Sequence, residues 1–171
     1  CQHSPALEEV AALGRTWPLA LHGVKQSLGS ASGPDLPRMR RLAHLARRLG
    51  AAVVSEHICF TRAGGCEIGH LTPLPHNEEA VLAVASQARQ LQAMLDVPLL
   101  LENVARTFAW PEDVLTEAEF ITCVVKASGC DLLLDVSNLY ANAVNAGLDP
   151  RAVIDAYPLD RVRMAHVAGG I

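Results

Sequence analysis

Five short apolar runs in this sequence stop on, or just before, a residue able to ligate a metal. Residues 17–21 lead to His22, residues 51–54 lead through Ser55 and Glu56 to His57, and residues 98–101 end at Glu102 and Asn103. Residues 131–134 end at Asp135, with Asn138 three positions further on, and residues 162–165 end at His166. A carboxylate at the end of a buried strand is costly unless a cation, a donor network or a metal compensates it. Three imidazoles, two carboxylates and one amide form a borderline-to-hard N/O donor set, suited to Fe, Mn, Zn or Co and not to thiolate chemistry. A carboxylate such as Glu102 is also able to bridge two ions roughly 3.5–4 Å apart.

Each residue taken alone has an ordinary structural role. His22 or His57 reads as a satisfied histidine, Glu102 as an acid held by Arg106, Asp135 as a cap for the following loop, Asn138 as a turn residue, and His166 as a donor to a nearby carbonyl. The recurrence of the pattern at five strand ends favours a shared site. His3, His44, His70 and His76 lack that context. His70 and His76, with Asn103 and Ser137, are expected at most to support the ligands or touch substrate.

The elements between the runs explain how such residues come together. Residues 5–14 read as a helix closed by glycine, and residues 23–34 as a Gly/Ser-rich loop. Asp35 opens a helix to Leu49, with Leu36, Met39, Leu42, Ala43, Leu45, Ala46 and Leu49 at near-helical spacing. Residues 61–76 read as a long loop, and Asn77 as the N-cap of a helix reaching about Leu95. Thr116 and Glu119 have the spacing of a capping box for a helix to Ser128, and Asp149-Pro150 starts a short helix. A Gly169-Gly170 turn is expected at the end. The repeated strand–loop–helix order predicts parallel strands with right-handed crossovers. No GxGxxG follows the first strand, which disfavours a dinucleotide-binding fold. The fold class expected is therefore α/β, a (β/α) barrel whose strand ends converge on one mouth.

Composition narrows the function classes. The chain has 171 residues, half of them hydrophobic, and a net charge of −4. The clustered arginines Arg38, Arg40, Arg41, Arg47 and Arg48 fall on one helix and read as its solvated face, so no nucleic-acid partner is expected. No apolar run is long enough for a membrane span, and none is expected to contact a bilayer. The five cysteines form no CxxC pair, and Cys123 and Cys130 read as small buried hydrophobes. A reducing, cytoplasmic setting is expected.

The segments LHGVKQSLGS, SEHICF, HLTPLPHNEEA, LLLENV, GCDLLLDVSNLYANAVNAGLDP and HVAGG occur in this order. Together they resemble the multinuclear non-heme iron-dependent oxidative enzymes, the family that includes the methanobactin-biosynthesis oxidase. The resemblance covers nearly the whole chain from about Pro18. It implies a TIM-like barrel of the xylose-isomerase and endonuclease IV type, with two or three iron ions at the mouth. It also implies O2-dependent modification of a ribosomally made precursor peptide, often at cysteine, and a partner protein that binds the peptide leader. Carried onto this sequence, the metal ligands are His22, His57, Glu102, Asp135, Asn138 and His166, with Glu102 as the bridging carboxylate. No separate catalytic base is assigned. The family's LDVNN block reads LDVSN here, with Ser137 in place of the first Asn.

A TIM barrel takes about 250 residues, and family members extend beyond this sequence at both ends. Residues 1–171 are accordingly expected to form one partial barrel of about five βα units, with open sheet edges that invite self-association. Two other readings stay open. One is a Zn- or Mn-dependent isomerase or hydrolase on the same barrel. The other is a non-catalytic truncated barrel that binds a peptide or partner.

Overall fold

A computed structural model describes residues 5–168. Its central feature is a curled, five-stranded parallel sheet formed by β1 (Ala20–His22), β2 (Val53–His57), β5 (Leu99–Glu102), β6 (Asp131–Asp135) and β7 (Val162–His166), side by side in that order. Helix α1 (Pro5–Leu13) precedes β1. Helix α2 (Leu36–Leu49) links β1 to β2, α3 (Glu78–Gln92) lies between β2 and β5, and α4 (Glu117–Ser128) joins β5 to β6. Helices α5 (Val136–Asn145) and α6 (Pro150–Asp155) join β6 to β7. This is the expected incomplete (β/α) barrel.

The helices start where their capping chemistry places them. Asp35 accepts from the Arg38 N–H, Asn77 from Ala80, and Thr116 from Glu119, whose side chain returns to the Thr116 N–H as a full capping box. On α2 the buried positions Met39, Ala43, Ala46 and Leu49 repeat every three or four residues. Arg40, Arg41, Arg47 and Arg48 are exposed on its other side, as expected. Arg38 differs: it is half-buried and donates to the Lys25 carbonyl and to Glu67.

Two-residue alternation along the strands divides the sheet. Leu99, Leu101, Leu132 and Leu134 enter the core between sheet and helices, together with Met39, Val84, Ala88 and Val124. Leu100, Glu102, Leu133 and Asp135 therefore point to the opposite, concave face. Register extends that face across neighbouring strands: His22 lies beside Ser55, His57 beside Glu102, Glu102 beside Leu133, and Asp135 beside His166.

Three expectations change. Residues 61–76 do not form one long loop. Strands β3 (Phe60–Ala63) and β4 (Cys66–Thr72) pair antiparallel around Gly64-Gly65, whose φ values of 56° and 83° suit a tight two-residue hairpin turn. β4 is largely exposed and carries no apolar alternation, so the glycine pair was the one legible signal. Asp135 caps no loop, and Asn138 is no turn residue: Asp135 accepts from the Asn138 N–H as N-cap of α5, and Asn138 sits in that helix's first turn. Cys123 is exposed, whereas Cys130 is buried. The Gly169-Gly170 turn and His3 lie outside the described residues. Among the described residues no helix is long and apolar enough to cross a membrane.

His76 joins the end of the hairpin segment to α4. Its ring stacks on Phe120 with centroids 4.4 Å apart, its Nδ1 accepts from Arg106, and its N–H donates to Asp113. Arg106 in turn pairs with Asp113 at 2.5 Å. Burial, with the Arg106 charge beside it, lowers the His76 pKa to about 4. The unfolded chain therefore takes up this proton first, and the contribution to stability is complete above about pH 6.5 and lost as pH falls toward 4. Urea denaturation at pH 7, 5.5 and 4.5 should show wild type losing about 2 kcal/mol more than His76→Gln across this window. Equal pH dependence in the two proteins would contradict the assignment.

Candidate metal centre at the strand ends

Glu102 ends β5, the central strand, and is 2% exposed. Its Oε2 lies 3.2 Å from His22 Nε2 and 3.2 Å from His57 Nε2, and its Oε1 lies 2.8 Å from His166 Nδ1. The His22 ring centroid is 4.7 Å from that of His57 and 5.2 Å from that of His166. Ligand atoms of His22, Glu102 and His166 all fall within 4.8 Å of one another. Three imidazoles from three different strands thus surround one carboxylate.

The two contacts at Oε2 are close but lack hydrogen-bond alignment, and among the described residues the oxygen is buried without a proton donor. An unsatisfied buried acceptor costs about 1–3 kcal/mol, and a charged one more. Nitrogen and oxygen lone pairs brought together without a shared proton are what a cation requires, so this donor set fits a divalent transition metal.

The histidines are held from behind. His22 Nδ1 pairs with Ser55 Oγ at 2.7 Å, and His57 Nδ1 with the Gly23 carbonyl at 3.0 Å. Such bonds to the distal nitrogen orient a ligating ring. Burial holds the His22 pKa below the usual histidine range; Glu102 opposes this, while His57 and His166 add to it. At His57 burial acts in the same direction, but the bond to Glu56 and the charge of Glu102 outweigh it, leaving its pKa raised.

Asp135 and Asn138 stand next to this cluster, and their resolved bonds run to backbone. Asp135 caps α5, and Asn138 Nδ2 donates to the Asn103 carbonyl. The Asn103 side chain donates to the Asp135 carbonyl and accepts from the Asp135 N–H. These bonds stitch the end of β5 to the end of β6. Ser137 Oγ donates to the Ala168 carbonyl and accepts the Ala168 N–H, tying the segment after His166 to α5. His70 is exposed on β4. His76 is engaged with Arg106 and Phe120, away from the imidazole cluster.

Sequence reading passed over Glu56 and Gly23. Glu56 is 1% exposed and accepts from the N–H groups of His57 and Gln26. Its position beside His57 in SEHICF was the available signal, but alternation places neighbours on opposite faces and gave no reason to link them. Ser27 was also missed: a non-glycine at φ 58°, it accepts from the Thr61 and Arg62 N–H groups and anchors the loop after β1. A cavity of about 750 Å³ lies elsewhere, bordered by Phe108, Glu117, Asn142, Leu148 and Val153.

Fold and donor set together define a (β/α)-barrel protein with a metal-type cluster at the strand ends. The chain belongs to the family of RiPP precursor modification enzymes MbnB/TglH/ChrH, whose profile matches residues 1–171. It is 42% identical over 156 residues to a UPF0276 protein of Streptomyces avermitilis, covering 87% of this chain and 32% of that protein. A UPF0276 protein of Caulobacter vibrioides is 40% identical over 163 residues, covering 95% of this chain and 58% of the relative. The chain thus spans well under two thirds of these relatives. Similar solved structures include endonuclease IV from Thermus thermophilus (TM-score 0.59, 22% identity, 97% of this chain and 60% of that one). The IOLI protein with a bound zinc atom gives a TM-score of 0.60 at 17% identity, covering 96% and 56%. The E. coli 3-keto-D-glucoside 4-epimerase gives 0.62 at 13%, covering 95% and 64%. At these identities the likeness concerns the fold.

A ligand that binds only the folded state raises stability by about 2.7 kcal/mol at a hundredfold excess over Kd. Titration of metal-free protein with Fe2+, Mn2+ or Zn2+ should therefore raise the thermal midpoint of wild type and leave that of Glu102→Gln unmoved. An equal rise in both would remove Glu102 from the centre.

Proposed function

We propose that the whole protein is an iron-dependent oxidoreductase that uses O2 to modify a ribosomally made precursor peptide at cysteine. One observation carries this reading: a buried carboxylate with an unpartnered oxygen, ringed by three imidazoles, in a chain of the RiPP precursor modification family. His22, His57, Glu102 and His166 hold the metal, and Asp135 and Asn138 complete the set for two or three ions. Bound iron supplies redox chemistry with O2 that no side chain in this cluster provides.

The chain's own residues give the site a direction. Glu102 and His57 are deeply buried, whereas the His22 and His166 side chains are 34% and 40% exposed. The buried pair forms the floor of the centre, and substrate approaches on the His22–His166 side. Asn103, through its two hydrogen bonds to the Asp135 backbone, keeps the acid-bearing strand end in register with Glu102. A cysteine thiolate of the peptide enters the open side, and a partner protein that holds the peptide leader brings it there. A reducing cytoplasm keeps such a thiol available.

The zinc atom in the similar IOLI barrel supports a second reading, a Zn- or Mn-dependent isomerase or hydrolase. Full-length protein purified without oxygen, assayed for metal content and for O2 uptake with a cysteine-containing precursor peptide, separates the two. The proposal expects bound iron, peptide-dependent O2 uptake, loss of uptake with a Cys→Ser peptide, and loss in His57→Ala and Glu102→Gln. Turnover restored by Zn2+ or Mn2+ without O2 would replace it with the second reading.

A further inference from the structure

We propose that Glu56 is a positioning residue: its carboxylate locks the loop after β1 against His57 and so fixes which imidazole nitrogen faces the metal. This rests on the metal-centre reading above. Glu56 is 1% exposed, and among the described residues no lysine or arginine lies within ion-pair distance of it. A buried carboxylate without a cation is expensive, so its retention calls for a specific set of donors.

Those donors are on both sides of it. Oε1 accepts the His57 N–H at 2.9 Å and lies 3.4 Å from His57 Nδ1, while Oε2 accepts the Gln26 N–H at 3.2 Å. Both oxygens face N–H groups. A glutamine would turn its NH2 toward one of these donors, so the amide does not replace the acid.

The loop that Glu56 grips carries the group that decides the tautomer of His57. Gly23 follows the ligand His22, and its carbonyl lies 3.0 Å from His57 Nδ1. A carbonyl accepts only, so Nδ1 bears the proton and Nε2 presents its lone pair, 3.2 Å from Glu102 Oε2. Gly23 also fits against the carboxylate because it has no side chain: a Cβ there would sit 2.4 Å from Glu56 Oε2 and 3.3 Å from the Ser55 carbonyl. The LHG and SEH motifs are thus two halves of one clamp. It joins the ends of β1 and β2, each of which delivers a histidine to Glu102.

The test compares wild type, Glu56→Gln, Gly23→Ala and Val54→Ala. Val54 is fully buried on the same strand, so its truncation weakens the core without touching the clamp. Two readouts are needed: Fe2+ and Zn2+ affinity by chelator competition in purified full-length protein, and the His57 imidazole 15N shifts of the metal-free protein. Glu56→Gln and Gly23→Ala should each weaken metal binding by about 10- to 100-fold, the usual effect of losing an outer support, and turn His57 into a mixture of tautomers. Val54→Ala should lower the thermal midpoint and leave both readouts unchanged. Gly23→Ala and Glu56→Asp carry the test if Glu56→Gln does not fold. Wild-type affinity and an unchanged His57 tautomer in the clamp variants would overturn the proposal, as would a loss in Val54→Ala of the same size. A wild type that binds neither metal would instead overturn the metal-centre reading; the His57 shifts would still decide whether Glu56 orients the ring.

Discussion

The structure turns on the carboxylate of Glu102. It sits at the end of the central strand, almost wholly removed from water, with one oxygen that no proton donor satisfies. In a protein interior that is a standing cost, and among the described residues no arginine or lysine relieves it. Three imidazole rings surround it instead. A donor set arranged this way suits a cation that shares the lone pairs, and the proposed metal centre rests on that fit.

Holding that arrangement requires each strand end to be tied to its neighbour. The parallel ladder sets the heights of these side chains, with His57 beside Glu102 and His166 beside Asp135. The last few ångströms are set by side chains: Ser55 behind His22, Gly23 and Glu56 behind His57, Asn103 across to Asp135, and Ser137 to the segment after His166. Backbone groups accept or donate in most of these bonds. The geometry of the centre therefore depends on loops that lie beyond the regular part of the sheet.

The same barrel serves other chemistry. The likeness to an endonuclease, an epimerase and a zinc-holding protein is one of architecture, and a shared fold does not choose a reaction. Membership of the RiPP precursor modification family is what the proposal of a peptide substrate rests on.

The sequence by itself determined the five strands of the parallel sheet, most of the helices and their caps, because short apolar runs, helical spacing and capping residues are local signals. It also determined that His22, His57, Glu102, Asp135 and His166 stand at strand ends, since each apolar run stops where the polar residue begins. The β3–β4 hairpin was not legible, because an exposed strand needs no apolar alternation. Helix α5 was not read either, because Asp135 serves as the last residue of a strand and the cap of a helix that follows it without a loop. Only the tertiary structure decided which ends converge and how closely. Glu56 makes the point most clearly: nothing local links it to Gly23 or Gln26, some thirty residues earlier, and its role exists only once β1 and β2 lie side by side. Long-range hydrogen bonds depend on three-dimensional register, and one-dimensional spacing does not encode them.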